Sequence, residues 1–116
     1  MIGLDTTAVI DLFKKDSKIK ELIGSLNENI CSTVINYQEL MFGLNAEDSA
    51  HLVEESFYDS FFDGIFLFLL DKESAKKSRE ILWNLRRNGK NIGKSDCSIA
   101  GIFLVNGVTK IITRNV

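Results

Sequence analysis

Short apolar runs alternate along this chain with longer amphipathic stretches, which is the pattern of a parallel sheet wrapped by helices. Met1–Leu4, Ile30–Thr33, Ile65–Leu70 and Lys110–Thr113 read as brief strands. Between them, apolar residues recur at helical spacing. Val9, Leu12 and Phe13 mark a first helix, with Thr6 or Thr7 able to cap it. Ile19, Leu22, Ile23 and Leu26 stripe a second, and Tyr37, Leu40, Met41 and Leu44 a third. A fourth is expected over Ala46–Phe62, with Val53, Phe57 and Phe61 turned inward. Ala75, Ser78, Leu82 and Leu85 form the stripe of a fifth, which stops near Asn88-Gly89. A sixth, capped by Ser95, buries Ile99, Ile102 and Phe103 and ends at Asn106-Gly107. Ile65–Leu70 is the most hydrophobic run, so it is expected at the centre of the sheet.

A length of 116 residues suits one domain, residues 1–116, around one core. The chain stops three residues after its last expected strand, which fits either a short natural end or a missing tail. Cys31 and Cys97 stand far apart in apolar surroundings with no Cys or His cluster near them. That argues for reduced thiols and against a zinc site. The start lacks a basic segment followed by a long apolar one, and no run could span a bilayer. The expected location is the cytoplasm. Net charge is only −2, but it is unevenly spread. Seven acids and no Lys or Arg lie between Gln38 and Asp63, whereas eight basic residues face three acids between Asp71 and Lys94. Two solvated helix faces of opposite sign would explain this, and so would a metal centre beside a phosphate-binding surface.

Three acids border the expected strand ends. Asp5 closes the first strand, Glu39 lies in the helix after the second, and Asp96 stands in the first turn of the helix before the last. Ligands of open parallel sheets bind at that rim, which Thr33 and Asn115 also border. Each acid has a bland explanation: Asp5 can cap the first helix, Glu39 can be a solvated helix residue, and Asp96 with Ser95 can form an ordinary cap. None of these explains why all three share one edge. Gathered carboxylates repel unless a cation lies between them, and oxygen ligands favour Mg²⁺ or Mn²⁺. The chemistry this suggests is metal-assisted phosphodiester hydrolysis.

LDTTAVIDLF, STVINYQELMFGL, SDCSIAGIFLVNG and the closing IITRNV resemble, in order and spacing, the motifs of the PIN-domain ribonucleases. The resemblance is greatest to the toxin components of VapBC-type toxin–antitoxin pairs, and it runs the length of the chain. It implies an α/β fold, a three-layer α/β/α sandwich with a central, mainly parallel sheet. It also implies endonucleolytic cleavage of RNA with one or two Mg²⁺ or Mn²⁺ ions. Carried over position by position, Asp5, Glu39 and Asp96 become catalytic metal ligands, and Thr7 and Thr33 orient them through hydrogen bonds. The family's fourth acidic position falls at or just beyond Asn115. This amide can still ligate Mg²⁺, but it brings one charge fewer for a second ion. Lys90, Lys94 and Arg87 are the candidate contacts to RNA phosphates. Phe57, Phe61 and Phe62 crowd one helix, which suggests a surface covered by another chain. The resemblance makes that chain a second copy or a cognate antitoxin.

Two other readings compete. A phospho-acceptor receiver domain would need an Asp closing the central strand and a Lys ending the last one. Asp71 and Lys110 match this poorly. A catalytically weakened PIN-like module used for RNA binding or assembly is the stronger alternative. His51, the sole histidine, reads as a surface residue.

Overall fold

A computed structural model describes residues 1–113. Four strands, β1 (Ile2–Leu4), β2 (Ile30–Thr33), β3 (Phe66–Phe68) and β4 (Lys110–Ile112), form one sheet in the order β3-β2-β1-β4. All three pairings are parallel. Six helices connect the strands: α1 (Thr6–Phe13) and α2 (Ser17–Leu26), α3 (Val34–Phe42) and α4 (Ser49–Asp63), then α5 (Lys72–Arg87) and α6 (Lys94–Val105). The chain steps outward from β1 to β3, then returns across the sheet to place β4 on the other side of β1. The direction reverses between β1 and β4, and such a reversal opens a crevice at the carboxyl ends of the strands.

The sheet has a core on each face, because successive strand side chains point to opposite sides. Ile2 and Leu4 of β1 and Ile112 of β4 meet Ala8, Val9, Leu40, Tyr58 and Phe62 on one side. Gly3 faces the other side, where the space a Cβ would need is filled by the Phe103 ring at 2.8 Å. Its partner across the ladder, Cys31, joins Ile99, Phe103 and Val108 in a second, smaller core. Helices α1–α4 cover the first face and α6 the second, with α5 packed along α6. The result is a three-layer sandwich. Both cysteines are buried free thiols, and burial pushes the Cys31 thiol up.

Caps explain most helix starts. Asp16, Asp48 and Asp71 each accept a backbone N–H of the helix that follows. Asp71 and Ser74 form a reciprocal capping box at α5. Gly89 and Gly107, at φ 72° and 75°, end α5 and α6 in a left-handed turn that only glycine enters cheaply.

Several sequence expectations are corrected. Asp5, not Thr6 or Thr7, caps α1, and Gly93, not Ser95, precedes α6. Helix α4 starts at Ser49 and buries Tyr58 and Phe62, whereas Val53 is 68% exposed and Phe57 36% exposed. Its inner stripe is rotated because Tyr58 can be buried whole, its hydroxyl donating to Glu54 at 2.8 Å. The run Ile65–Leu70 supplies an edge strand instead of a central one, with Phe66, Leu67, Leu69 and Leu70 exposed. Hydrophobicity alone does not encode strand order. Leu22 and Ala75 lie on exposed faces, and the inner stripe of α5 is led by Ser74 and Ser78.

Candidate active site

Three segments distant in sequence meet at the crevice between β1 and β4. A pocket of about 390 Å³ is lined there by Asp5, Glu39 and Asp96, with Thr6, Thr7 and Asn36 on one side. Ile99, Ala100, Ile111 and Thr113 complete it. Asp5 is placed by the end of β1, whose ladder runs on to its own N–H, donating to the Ile112 carbonyl at 3.2 Å. Its carboxylate Oδ1 accepts the Ala8 N–H at 3.1 Å and the Thr7 hydroxyl at 2.8 Å. Capping and pocket-lining therefore coexist in the same residue.

Glu39 is positioned through a chain of hydrogen bonds rooted in the buried strand β2. The Thr33 hydroxyl donates to Asn36 Oδ1 at 2.8 Å and accepts the Asn36 N–H at 3.2 Å, starting α3. Asn36 Nδ2 donates to Thr6 Oγ1 at 3.1 Å, and Thr6 Oγ1 donates to Glu39 Oε1 at 2.7 Å. Ser32 ties this chain to β1 by donating to the Leu4 carbonyl at 2.8 Å. Asn36 is fully buried, so its amide cannot turn without stranding a polar group. Each donor in the series is held by the one before it, and the last points at the Glu39 carboxylate.

Asp96 differs from the other two acids. It is exposed in the first turn of α6 and has no hydrogen-bond or ion-pair partner among the described residues. The helix has no side-chain cap, so Asp96 is not there to start it. Helix polarity favours a negative charge at this position. Lys94 begins the same helix two residues earlier. Lys90, Lys94 and Arg87 are exposed cations with no ion pair among the described residues.

The three acids share a pocket without closing into a single grip. Among the described residues, no group of three His, Cys, Asp or Glu side chains stands ready to hold one ion together. Hydrogen bonds from Thr6, Thr7 and the Ala8 N–H offset the charge on two of them, Glu39 and Asp5. The donor set is nevertheless all oxygen, and the pocket has room for an ion that keeps part of its water shell. Mg²⁺ characteristically binds that way, through one or two carboxylates and several waters. By donor chemistry the residues fit a hard divalent cation. Asn115 lies outside the described residues.

Thr7 and Thr33 were singled out from the sequence; Thr6 and Asn36, which carry the contact to Glu39, were not. Their signal was present in the i, i+3 spacing of Thr33, Asn36 and Glu39 along one side of α3, but nothing in the sequence pairs Thr6 with that face. His51 is remote from this chemistry, with Nδ1 accepting the Asn45 N–H at 2.8 Å. Asp71 and Lys110 are absorbed by the α5 cap and by a 3.0 Å ion pair with Glu28, which removes the receiver-domain reading.

Thr6→Val tests the relay. It keeps the shape but leaves Glu39 Oε1 and Asn36 Nδ2 without their shared partner. If Glu39 serves as a metal ligand, the expected result is a loss of about 10- to 100-fold in metal affinity or activity, as for other groups that orient a ligand. Unchanged metal affinity and activity would show that Glu39 needs no positioning.

An open parallel α/β domain with carboxylates gathered at its switch point defines a class of acidic-cleft proteins. Within that class, the chain belongs to the PIN domain family, whose sequence pattern it matches over residues 2–116. Members of this family are in general nucleases. Solved structures agree on the fold. VapBC2 from Rickettsia felis, bound to a DNA fragment from their promoter, superposes with a TM-score of 0.82 at 24% identity, covering 99% of this chain and 88% of that one. VapBC-1 from nontypeable Haemophilus influenzae gives 0.74 at 26% identity, covering 99% and 87%. A toxin–antitoxin complex from Klebsiella pneumoniae gives 0.79 at 17% identity, covering 99% and 87%. No curated protein matches the sequence. Among the described residues, no helix is long and apolar enough to cross a membrane.

Proposed function

We propose that this protein is a metal-dependent endoribonuclease, the toxin of a toxin–antitoxin pair. The observation that carries the reading is the convergence of Asp5, Glu39 and Asp96, from three separate segments, on one pocket at the sheet's switch point. Family membership supports nuclease chemistry, and the VapBC complexes that share the fold support the toxin role. Asp5, Glu39 and Asp96 would hold Mg²⁺ or Mn²⁺, with Asn115 as a further candidate. When bound, the ion supplies Lewis acidity and neutralises charge on the reacting phosphodiester.

The chain's own residues do the rest. Thr7 and the Ala8 N–H fix Asp5, and Thr6 fixes Glu39 by donating its hydroxyl to the carboxylate at 2.7 Å. Ile99, Ala100 and Ile111 give the pocket an apolar side that limits how water enters. Lys90, Lys94 and Arg87 offer charge to the phosphates flanking the cut. No side-chain nucleophile is needed, and among the described residues only threonine hydroxyls line the pocket as such groups.

An antitoxin or a second copy would cover the exposed apolar side of α4, where Leu52, Val53 and Phe57 are exposed beside the Phe57–Phe61 stack. Acids border that side. Asp59 Oδ1 accepts a hydrogen bond from the Tyr37 hydroxyl, which pushes the Tyr37 pKa up to about 12. A basic, amphipathic partner segment suits it. The cytoplasm is the proposed location.

Two measurements test this together. Single-stranded RNA is expected to be cut with Mg²⁺ or Mn²⁺ and left intact with EDTA. The melting temperature is expected to rise with either ion, because a ligand that binds only the folded state stabilises it. Binding of RNA with no cleavage under any divalent ion would make the chain a binding module.

A further inference from the structure

The outer side of α5 carries a second, larger concavity of about 570 Å³ that the acidic cleft does not use. Lys76, Arg79, Trp83 and Arg87 line it with Val105 of α6, alongside Glu73 and the Lys77–Glu80 pair. These α5 positions follow the helical period, so they form one stripe along the helix. Lys77 is neutralised by Glu80 at 3.4 Å, but Lys76, Arg79 and Arg87 have no ion pair among the described residues. Trp83 is 52% exposed, an unusual place for the chain's single tryptophan. The Arg86 guanidinium sits 5.2 Å from its ring centre and covers one face. The solvent-reached face of the indole is left for another flat partner.

The stripe also has a direction. Helix α5 ends at Arg87, and a short connection bearing Lys90 leads to Lys94 and Asp96. The unpaired cations thus follow the chain from Lys76 through Arg87 and Lys90 to Lys94, two residues before Asp96, which lines the acidic pocket. From Lys76 to Arg87 the helix rises about 16 Å, the length of four to five stacked nucleotides. A hydrophobic partner would leave the cations unpaired, and a purely anionic one would leave the indole unused. A ligand with both regular negative charge and flat rings satisfies both.

We propose that this groove binds single-stranded RNA, stacking a base on Trp83 and leading the strand toward Asp96. The identity of the strand rests on the nuclease reading, whereas the groove itself is tested without cleavage. The full chain carrying Asp96→Asn is titrated in EDTA with a labelled single-stranded oligoribonucleotide. Anisotropy reports binding, and the emission of the sole tryptophan reports stacking. Saturable quenching of Trp83 is expected, with the same midpoint as the anisotropy change. Trp83→Ala is expected to weaken binding about tenfold and Trp83→Phe much less, since any aromatic face stacks. Lys76→Ala/Arg79→Ala is expected to reduce the salt dependence by about 1.4 in log–log slope. Melting temperatures of these surface variants establish that they fold.

Binding with unchanged tryptophan emission and indifferent variants would overturn the groove. So would equal quenching by heparin, which has the charge but no bases. An emission change that follows protein concentration without RNA, together with a doubled mass, would assign the face to a second copy and also overturn it. Cleavage by the unaltered chain is scored separately. If it is absent while the Trp83 response persists, the groove stands and the nuclease assignment fails.

Discussion

Replacing Asp5 and Asp96 together by asparagine is expected to lower RNA cleavage at least about a thousand-fold, since two charge-placing groups leave the site together. The fold should survive. Asparagine caps a helix as well as aspartate does, so the amide oxygen at position 5 still accepts the Ala8 N–H. Asp96 makes no bond among the described residues whose loss could unfold anything. What changes is charge at the pocket, and the metal-dependent rise in melting temperature should vanish with it. A matched control is Asp16→Asn/Asp48→Asn. It removes the same charge from two other capping aspartates, remote from the pocket, and should leave cleavage unchanged. Equal cleavage by the Asp5/Asp96 variant and the unaltered chain, in fluorogenic RNA assays, would remove the site assignment.

How much of this could be seen without coordinates depends on whether the cause is local. Strand and helix order was legible because apolar period and turn residues such as Asn88-Gly89 and Asn106-Gly107 act within a few residues. The acids were legible because they sit at strand ends, where an α/β fold places its ligands. The arrangement of the strands within the sheet was not. The run Ile65–Leu70 looks central by hydrophobicity, but the return of the chain across the sheet leaves β3 at an edge. The face of α4 was also misjudged, because burying Tyr58 depends on a hydroxyl partner, Glu54, that a hydrophobic count ignores. Asp5 and Glu39 both take structural hydrogen bonds, Asp5 as the cap of α1 and Glu39 as the acceptor of the Thr6 hydroxyl. The Asp5–Ala8 bond is local, whereas Thr6, the partner of Glu39, becomes visible only when α1 and α3 are placed side by side. Acids with structural bonds can still line a pocket, and Asp96 lines the same one with no such bond among the described residues.

The contact between α5 and α6 predicts the largest loss of stability from a single methyl group. A Cβ added at Gly101 would lie 2.3 Å from Ser78 Oγ and 2.9 Å from both the Ser74 carbonyl and the Ser78 N. Ser78 cannot swing aside freely, because its buried hydroxyl donates to that same Ser74 carbonyl at 2.6 Å. The other two contacts are backbone, so the helices themselves must separate. Overpacking of this kind costs about 1–3 kcal/mol. At roughly 4 °C per kcal/mol for a domain of this size, Gly101→Ala should melt about 4–12 °C lower. Gly101→Val should fall further. Gly24→Ala is the counter-case, since nothing lies within 4 Å of its Cβ position in the exposed last turn of α2. There the same substitution removes unfolded-chain freedom and should stabilise by about 0.5–1 kcal/mol. The two variants carry identical chemistry with opposite expected signs, so thermal melts separate local propensity from close packing. Because α6 also carries Asp96, Gly101→Ala should weaken cleavage as well, and adding Ser78→Ala should restore part of both losses by clearing the nearest clash. An unchanged melting temperature for Gly101→Ala would mean that α5 and α6 do not approach this closely, and the cleft would then need another support for its third acid.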